Sequence, residues 1–434
     1  MPDEEGVLTM AERVIFHVDA NSAFLSWTAA YKVKVLGEEQ DIRDIPSVVA
    51  GDKESRHSII LAKSTPAKKY GIQTGEPLFQ ALEKCPDLVV VQPDYELYVE
   101  ASRHFVDMLR QFSPVVEQYS IDEAWVDMTG TERLWGSPRL AAEKMRLRIW
   151  EELGFTVNVG ISSNKLLAKM AGDFEKPNKV HTLFPEEVEA KFWPLPVRDL
   201  FLVGAATERK LKQLGIYTIG ELAHADVRIL KKRLGKHGET IWHFANGRNA
   251  DAVCPEPAEN KGYGNATTTA KDVITHEQAH QVLLGLCETV AMRMRKDGKC
   301  GSCVSVHLRT NEFQHYSHQA MLHGATNITG ELFEAACRIF DEAWDGVTPL
   351  RQLGVQMTRL SNEPYQQFDF FSGLSPVQYE RKLRLDETVD ALRDRFGEDI
   401  IRRAKFANDP EGHMAGGLSR ARRTGITKPV PKEF

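Results

Sequence analysis

The sequence predicts an α+β protein of several domains. Three observations carry that prediction. The chain has 434 residues, too many for one core of ordinary size. Strand-like and helix-like segments alternate up to residue 176 and again over 261–360. Between them, after Pro177, the pattern changes to short helices with glycine turns. An apolar fraction of 42% suits a soluble folded protein. No run approaches the ~18 apolar residues of a membrane helix, and the acidic start, Asp3, Glu4 and Glu5, is unlike a signal peptide, so a cytoplasmic protein with no membrane partner is expected.

The run Val14, Ile15, Phe16, His17, Val18, Asp19 is β-branched and aromatic and is followed at once by turn residues; it reads as a buried strand with Asp19 at its carboxyl end. Residues 21–85 form an insertion with a strand of its own at 58–62, and residues 95–112 read as a helix. The passage 115–128 looks like two strands meeting near Asp122 and Glu123. Ser137 and Pro138 supply an N-cap and a first-position proline for the next helix, and Gly154 a stop. Residues 156–161 then read as strand and 164–174 as helix. With the insertion set aside the order is βαββαβ, the ferredoxin-like arrangement, in which the first strand lies beside the central hairpin and Asp19 can meet Asp122 and Glu123.

Neighbours within a strand face opposite ways, so Asp122 and Glu123 can face one ligand only where the chain turns. Three clustered carboxylates repel one another unless cations sit among them, and hard divalent ions such as magnesium provide that compensation. Two such ions can stabilise the attacking and leaving oxygens of an in-line phosphoryl displacement. Asp and Glu are also common in solvated turns, and spacing alone leaves both readings open.

Beyond Pro177, Val203, Gly204 and Ala205, followed by Leu211, Leu214, Gly215 and Ile216, look like a helix-hairpin-helix, whose glycine turn exposes backbone amides able to bind a phosphate backbone without reading bases. The same pattern serves simple helix packing. Thr218 and Glu221 form a capping box, and Gly235 ends a later helix. Residues 251–260, with Pro255 and Pro257, read as a linker, and residues 261–361 as a second α+β unit. Cys300 and Cys303 have the spacing of half a metal site, but no second pair exists and the residues after them alternate like a strand. A net charge of −6 does not announce a nucleic-acid binder, although Lys and Arg cluster at 231–236, 293–299 and 420–423. In the tail, Gln367, Phe368, Asp369, Phe370 and Phe371 form a short aromatic segment of the kind that docks into a partner's groove.

At these residues the chain resembles the Y-family DNA polymerases of the DinB (DNA polymerase IV) type, from about Val14 to Arg359. The resemblance rests on Ser120, Ile121, Asp122, Glu123, Ala124 with Asp127, and on Gly160, Ile161, Ser162 followed by Asn164, Lys165, Ala168, Lys169 and Lys176, Pro177, Asn178. It implies a right-hand polymerase: a ferredoxin-like palm (12–20 and 86–176), small fingers (21–85), a helix-hairpin-helix thumb (177–250), a linker (251–260), a little finger (261–361) and a tail (362–434). Carried over by position, Asp19, Asp122 and Glu123, with the Ala20 carbonyl, hold two magnesium ions. Phe24 is the steric gate against ribonucleotides, and Lys169 contacts the triphosphate. Thr65 and Lys68 stand where the family usually has a tyrosine and an arginine on the triphosphate, which removes a bidentate fork. Asn21 and Ala23 replace a commoner acid and aromatic, implying a roomier pocket. Residues 367–371 resemble the motif that binds the sliding clamp, and residues 383–404, with Asp386, Phe396, Gly397 and Arg403, resemble a C-terminal extension of some Gram-positive members.

The resemblance therefore implies a monomeric, low-fidelity, template-directed DNA polymerase for translesion synthesis, without proofreading, acting on primer-template DNA and deoxynucleoside triphosphates. A non-catalytic scaffold that binds DNA and the clamp is the alternative; relatives of that kind lack the metal acids, and this chain keeps all three. A nucleotide cyclase on a similar palm would leave the later segments without a task.

Overall fold

The computed structural model describes residues 13–51, 58–256, 259–362, 376–407 and 413. They fall into two compact units, one holding the described residues up to 256 and the other those from 259 onward.

The first unit opens with β1 (Ile15–Ala20), α1 (Ala23–Lys34), β2 (Ser47–Ala50), β3 (Ile60–Lys63), α2 (Thr65–Lys68), α3 (Leu78–Lys84) and β4 (Val89–Val91). β2 sits between β3, to which it is antiparallel, and β4, to which it is parallel. Only β3 is legible in the sequence. β2 and β4, of four and three residues, have no counterpart among the expected elements, and the small sheet reaches past residue 85.

There follow α4 (Tyr95–Arg110), β5 (Val116–Gln118), β6 (Glu123–Asp127), α5 (Glu132–Trp135), α6 (Pro138–Arg148), β7 (Val157–Ser162), α7 (Lys165–Gly172) and β8 (Val180–Thr182). Asp94, Ser137 and Asn164 cap α4, α6 and α7 with side-chain oxygens that accept backbone N–H bonds. Gly154, at φ 80°, closes the π-helical turn that continues α6. The sheet order is β5-β6-β1-β7-β8, so its first four strands have the ferredoxin-like arrangement expected from βαββαβ.

β1 shows how the sheet is sided. Phe16, Val18 and Ala20 join Val126, Val159 and Ile161 in a core covered by Phe105, Leu109 and Met145. Ile15, His17 and Asp19 alternate to the other face. There α7 lies so close to β7 that a Cβ on Gly160 would sit 1.9 Å from the Ala168 carbonyl oxygen and 2.4 Å from the Gly172 nitrogen. Only glycine permits that approach.

The unit ends in α8 (Ala205–Lys212), α9 (Ile219–Ala223), α10 (Val227–Leu234) and α11 (Lys236–Ala245), packed around Leu211, Leu222, Leu230 and Ile241 with Leu167 and Met170 of α7. The capping box forms as read: Thr218 Oγ1 accepts from the Glu221 N–H at 3.1 Å, and the Glu221 carboxylate accepts from the N–H groups of Tyr217 and Thr218. Gly235, at φ 65°, turns α10 into α11. Part of the stretch read as linker is packed: Val253 is buried with Ile15, Trp125 and Ala168, and the Cys254 N–H donates to Glu117 at 2.7 Å. One valine between Ala252 and Cys254 was enough to fill a gap that composition does not reveal.

The second unit contains β9 (Gly262–Val273), α12 (His276–Lys296), β10 (Cys300–Thr310), β11 (His315–Thr326), α13 (Thr329–Ala343), β12 (Leu350–Ser361) and α14 (Pro376–Phe396). Its antiparallel sheet has the order β11-β10-β12-β9. Leu283, Leu286 and Val290 of α12 and Leu332 and Phe340 of α13 cover Val304, Val306, Leu353 and Val355. Cys300 and Cys303 are buried strand residues of β10.

Buried ion pairs fix α14 and the residues after it. Asp386 Oδ2 accepts from the Thr329 N–H at 2.8 Å, capping α13 from outside, and from Arg295 at 3.2 Å. Arg295 also pairs with Asp390 at 2.6 Å, and Glu288 faces Arg393 at 3.4 Å and Arg403 at 2.7 Å. The basic cluster at 293–299 is therefore partly an internal clasp. Burial alone would raise the Glu288 carboxyl; His413, Arg393 and Arg403 overcome it and hold the group at about 2.

Gly160→Ala should destabilise the first unit by about 3 kcal/mol, read as a lower urea midpoint, because the new methyl meets backbone rather than a movable side chain. Glu288→Ala leaves Arg393 buried without its carboxylate and should lower the stability of the second unit by about 3 kcal/mol. The Glu288 carboxyl is depressed on folding, so its contribution is present above its ordinary value near 4.5 and is lost as pH falls toward 2. Acid titration of unfolding should show that loss in the parent and a shallower one in Glu288→Ala.

Candidate active site

Two strand pairings bring the acids together. Asp19 of β1 lies directly opposite Glu123 of β6, and the Ala20 N–H donates to the Asp122 carbonyl at 3.0 Å. Residues 120–122 form a bend before β6, which is the turn that the adjacency of Asp122 and Glu123 requires. The bend is pinned: Ser120 Oγ donates to Asp122 Oδ1 at 2.6 Å, Ser102 Oγ donates to the Ile121 carbonyl, and the Glu123 carbonyl accepts from Tyr119 and Ser120. As a result the two neighbours part. Asp122 joins Asp19 in lining a cleft of roughly 430 Å³, while Glu123 turns toward α7.

Each of two acids faces a lysine. Lys169 of α7 pairs with Glu123 Oε2 at 2.6 Å, and Lys176 pairs with Asp19 Oδ2. Behind Glu123 lies the buried imidazole of His17, its Nε2 3.4 Å from Glu123 Oε2 and its ring against Trp125. Burial pushes His17 below its ordinary range, so the imidazole is neutral at pH 7. Burial would raise Glu123, but its contacts with His17 and Lys169 hold it at about 2. Burial also raises Asp19, only partly offset by Lys176. Lys176 is raised above its ordinary range, since Asp19 and Asp173 outweigh its own burial.

The cleft wall opposite the acids comes from the small sheet and α2: Thr65 and Lys68 line it, with Lys63. Ser64 holds that corner, donating to the Ile45 carbonyl and accepting from the Ser47 and Ala67 N–H groups. Phe24 lines the cleft from α1, and its ring is fixed by stacking on buried Tyr98 at 4.5 Å and by edge contact with Tyr95 at 6.4 Å.

Of the residues expected on a nucleotide, Phe24, Thr65 and Lys68 thus share one cleft with Asp19, Ala20 and Asp122. Lys169 does not reach it. Its position on α7 aims it at Glu123, among the rings of Tyr119 and Phe201, and the lysine that lines the cleft is Lys176. In the sequence, Lys176 belongs to the passage that carries the resemblance without a role of its own, and His17 reads only as a strand residue. Alternation along β1 was the available signal, since it places His17 on the face of Asp19. Gly204 caps α8, with Val203 buried and Ala205 exposed, away from the cleft. Residues Gln367, Phe368, Asp369, Phe370 and Phe371 lie outside the described residues.

The donor set fits hard divalent cations. Asp19, Asp122 and Glu123 supply carboxylate oxygens at one end of the sheet, and Ala20 a backbone carbonyl beside them. Imidazole and thiolate donors are absent from the described lining of the cleft.

Comparison with known proteins agrees with this geometry. Residues 18–173 match the model of the impB/mucB/samB family, residues 260–370 that family's C-terminal domain, and residues 185–216 the IMS family HHH motif. The chain is 45% identical over 399 residues to DNA polymerase IV of Clostridium acetobutylicum, covering 92% of this chain and 99% of the relative. It is 35% identical to DNA polymerase IV of Acetivibrio thermocellus, with coverage of 92% and 98%, and 36% identical to DNA polymerase IV 2 of Bacillus subtilis, with 91% and 95%. A solved Y-family DNA polymerase chimera superposes with a TM-score of 0.67 at 21% identity, over 81% of this chain and all of that one. Near-complete coverage of such relatives, with the acids where the palm sheet brings them together, means that this chain belongs to the Y-family DNA polymerases of the DNA polymerase IV type.

Proposed function

We infer that the chain is a template-directed DNA polymerase that extends primers past damaged bases with low fidelity and without proofreading. The observation that carries the reading is the single cleft in which Asp19 and Asp122 face Phe24, Thr65, Lys68 and Lys176. The reaction is attack of a primer 3′-hydroxyl on the α-phosphorus of an incoming deoxynucleoside triphosphate, with pyrophosphate as leaving group. Divalent metal dependence follows from the family; two magnesium ions, held by Asp19, Asp122, Glu123 and the Ala20 carbonyl, would supply stabilisation of the attacking and leaving oxygens.

The side chains divide the remaining work. Lys68 and Lys176 offer point charges to the triphosphate, and Thr65 a hydroxyl. Lys169 is assigned instead to holding the Glu123 carboxylate in place, with His17 as a neutral wall behind it. Phe24, immobilised by Tyr98, excludes a ribose 2′-hydroxyl because it has no room to retreat. Val203, Gly204 and Ala205 would meet the phosphate backbone of primer-template DNA. Residues 367–371 would engage the sliding clamp, and the enzyme would work as a cytoplasmic monomer. Among the described residues no helix is long and apolar enough to cross a membrane.

Primer extension on undamaged and abasic templates tests the reading. Asp122→Ala or Glu123→Ala should lower extension by at least about a thousandfold while primer-template affinity stays near the parent's; synthesis at the parental rate would remove these acids from the reaction. Lys176→Ala should raise KM for the nucleotide by about tenfold, whereas Lys169→Ala should act mainly on kcat. The reverse split would return Lys169 to the triphosphate. Phe24→Ala should raise ribonucleotide use relative to deoxynucleotide use by about tenfold or more, and an unchanged ratio would place the gate elsewhere.

A further inference from the structure

We propose that His276, His280 and Asp341, in the second unit, form a binding site for one transition-metal ion of the zinc class, separate from the magnesium-type acids of the first unit. His276 and His280 are four residues apart at the start of α12, so they share a helix face. Asp341, near the end of α13, meets them there. His276 Nδ1 and His280 Nε2 each lie 2.8 Å from the same oxygen, Asp341 Oδ1. Two hydrogen bonds to one carboxylate oxygen account for this arrangement as it stands, and they hold two nitrogen donors and one oxygen donor together at one surface point. All three donor atoms lie within 4.8 Å of one another. Nitrogen and oxygen ligands bind zinc at about 2.0–2.2 Å, so a small opening of this cluster would admit an ion.

The ligands are held ready for it. The His276 ring packs 4.8 Å from Trp344 and 5.7 Å from Phe340, and the His280 ring 6.0 Å from Phe340. Phe340 and Trp344 are buried, and Trp344 Nε1 is tied to the Thr348 carbonyl at 2.9 Å. Two imidazole nitrogens and one carboxylate select zinc, nickel or copper over magnesium, and the exposed side leaves room for water as a further ligand. A bound ion would staple the first turn of α12 to the last turn of α13.

The test uses the full chain carrying Cys254→Ser, which removes an exposed thiol, in excess magnesium. Zinc chloride titrated calorimetrically should bind this protein at one site. His276→Gln, His280→Gln and Asp341→Asn should each weaken that binding at least tenfold, with magnesium-dependent primer extension unchanged. Independently of the zinc titration, electron paramagnetic resonance of one equivalent of copper(II) should show two nitrogen ligands, reduced to one in either histidine variant. Absence of zinc uptake, equal affinity in the three variants, or a copper spectrum indifferent to both histidine substitutions would overturn the proposal.

Discussion

Bringing Asp19, Asp122 and Glu123 to one end of a sheet sets like charges against one another in a partly buried place, and much of the first unit is arranged to make that tolerable. The acids cannot simply be solvated, because β1 lies in the middle of the sheet with β6 on one side and β7 on the other. Alternation along β1 divides its residues into an apolar face that anchors the strand in the main core and a second face that carries His17 and Asp19. Positive charge reaches that second face only because α7 lies directly on it, and α7 can lie there only because residue 160 has no side chain. Lys169 is thereby delivered to Glu123, and the chain after α7 carries Lys176 to Asp19. A backbone contact between Gly160 and Ala168 is thus coupled to the electrostatics of the acids.

What the sequence could and could not reveal follows from the range of the interactions involved. β1, β6, β7 and the caps at Ser137 and Thr218 are legible because hydrophobic alternation and capping act over a few residues. The three acids were legible as a group, but the divergence of Asp122 from Glu123 depends on hydrogen bonds that pin the bend at residues 120–122. Lys169 and Lys176 illustrate the same limit. Both belong to the one passage, residues 160–178, that carries the family resemblance, and only the helix face of one and the loop position of the other decide which reaches Glu123 and which the cleft. The role of residues 383–404 was not readable at all. Asp386 caps a helix 57 residues earlier, and Arg393 and Arg403 close on Glu288 from 105 and 115 residues away.

The nucleotide wall departs from the usual pattern of this family in a way the neighbouring residues do not reverse. Arg43 also lines the cleft, but its guanidinium is already engaged: it is bidentate to Asp41, donates to the Gly154 carbonyl at 2.7 Å and stacks over Trp150. It cannot stand in for the missing arginine fork without giving up those partners. Lys63 is tied to the Ile72 carbonyl. On the proposed reading a triphosphate would meet point charges and a hydroxyl rather than a planar fork, which attracts phosphate charge while constraining its orientation less.

Asn21 makes the complementary point. Standing where an acid is commoner, it adds no charge to the cleft, and its amide is engaged at both ends: Nδ2 donates to Asn158 Oδ1, while Oδ1 accepts from Thr156 Oγ1 and from the Asn178 N–H. Asn158 in turn donates to the Gly172 and Glu175 carbonyls. The result is a neutral brace that runs from the end of β1 through β7 to the segment carrying Lys176. An aspartate at position 21 could still accept from Thr156 and Asn178, but it would lose the bond it donates to Asn158 and would bring a further negative charge beside Asp19. Asn21 therefore exchanges charge beside Asp19 for rigidity in the segment that positions Lys176.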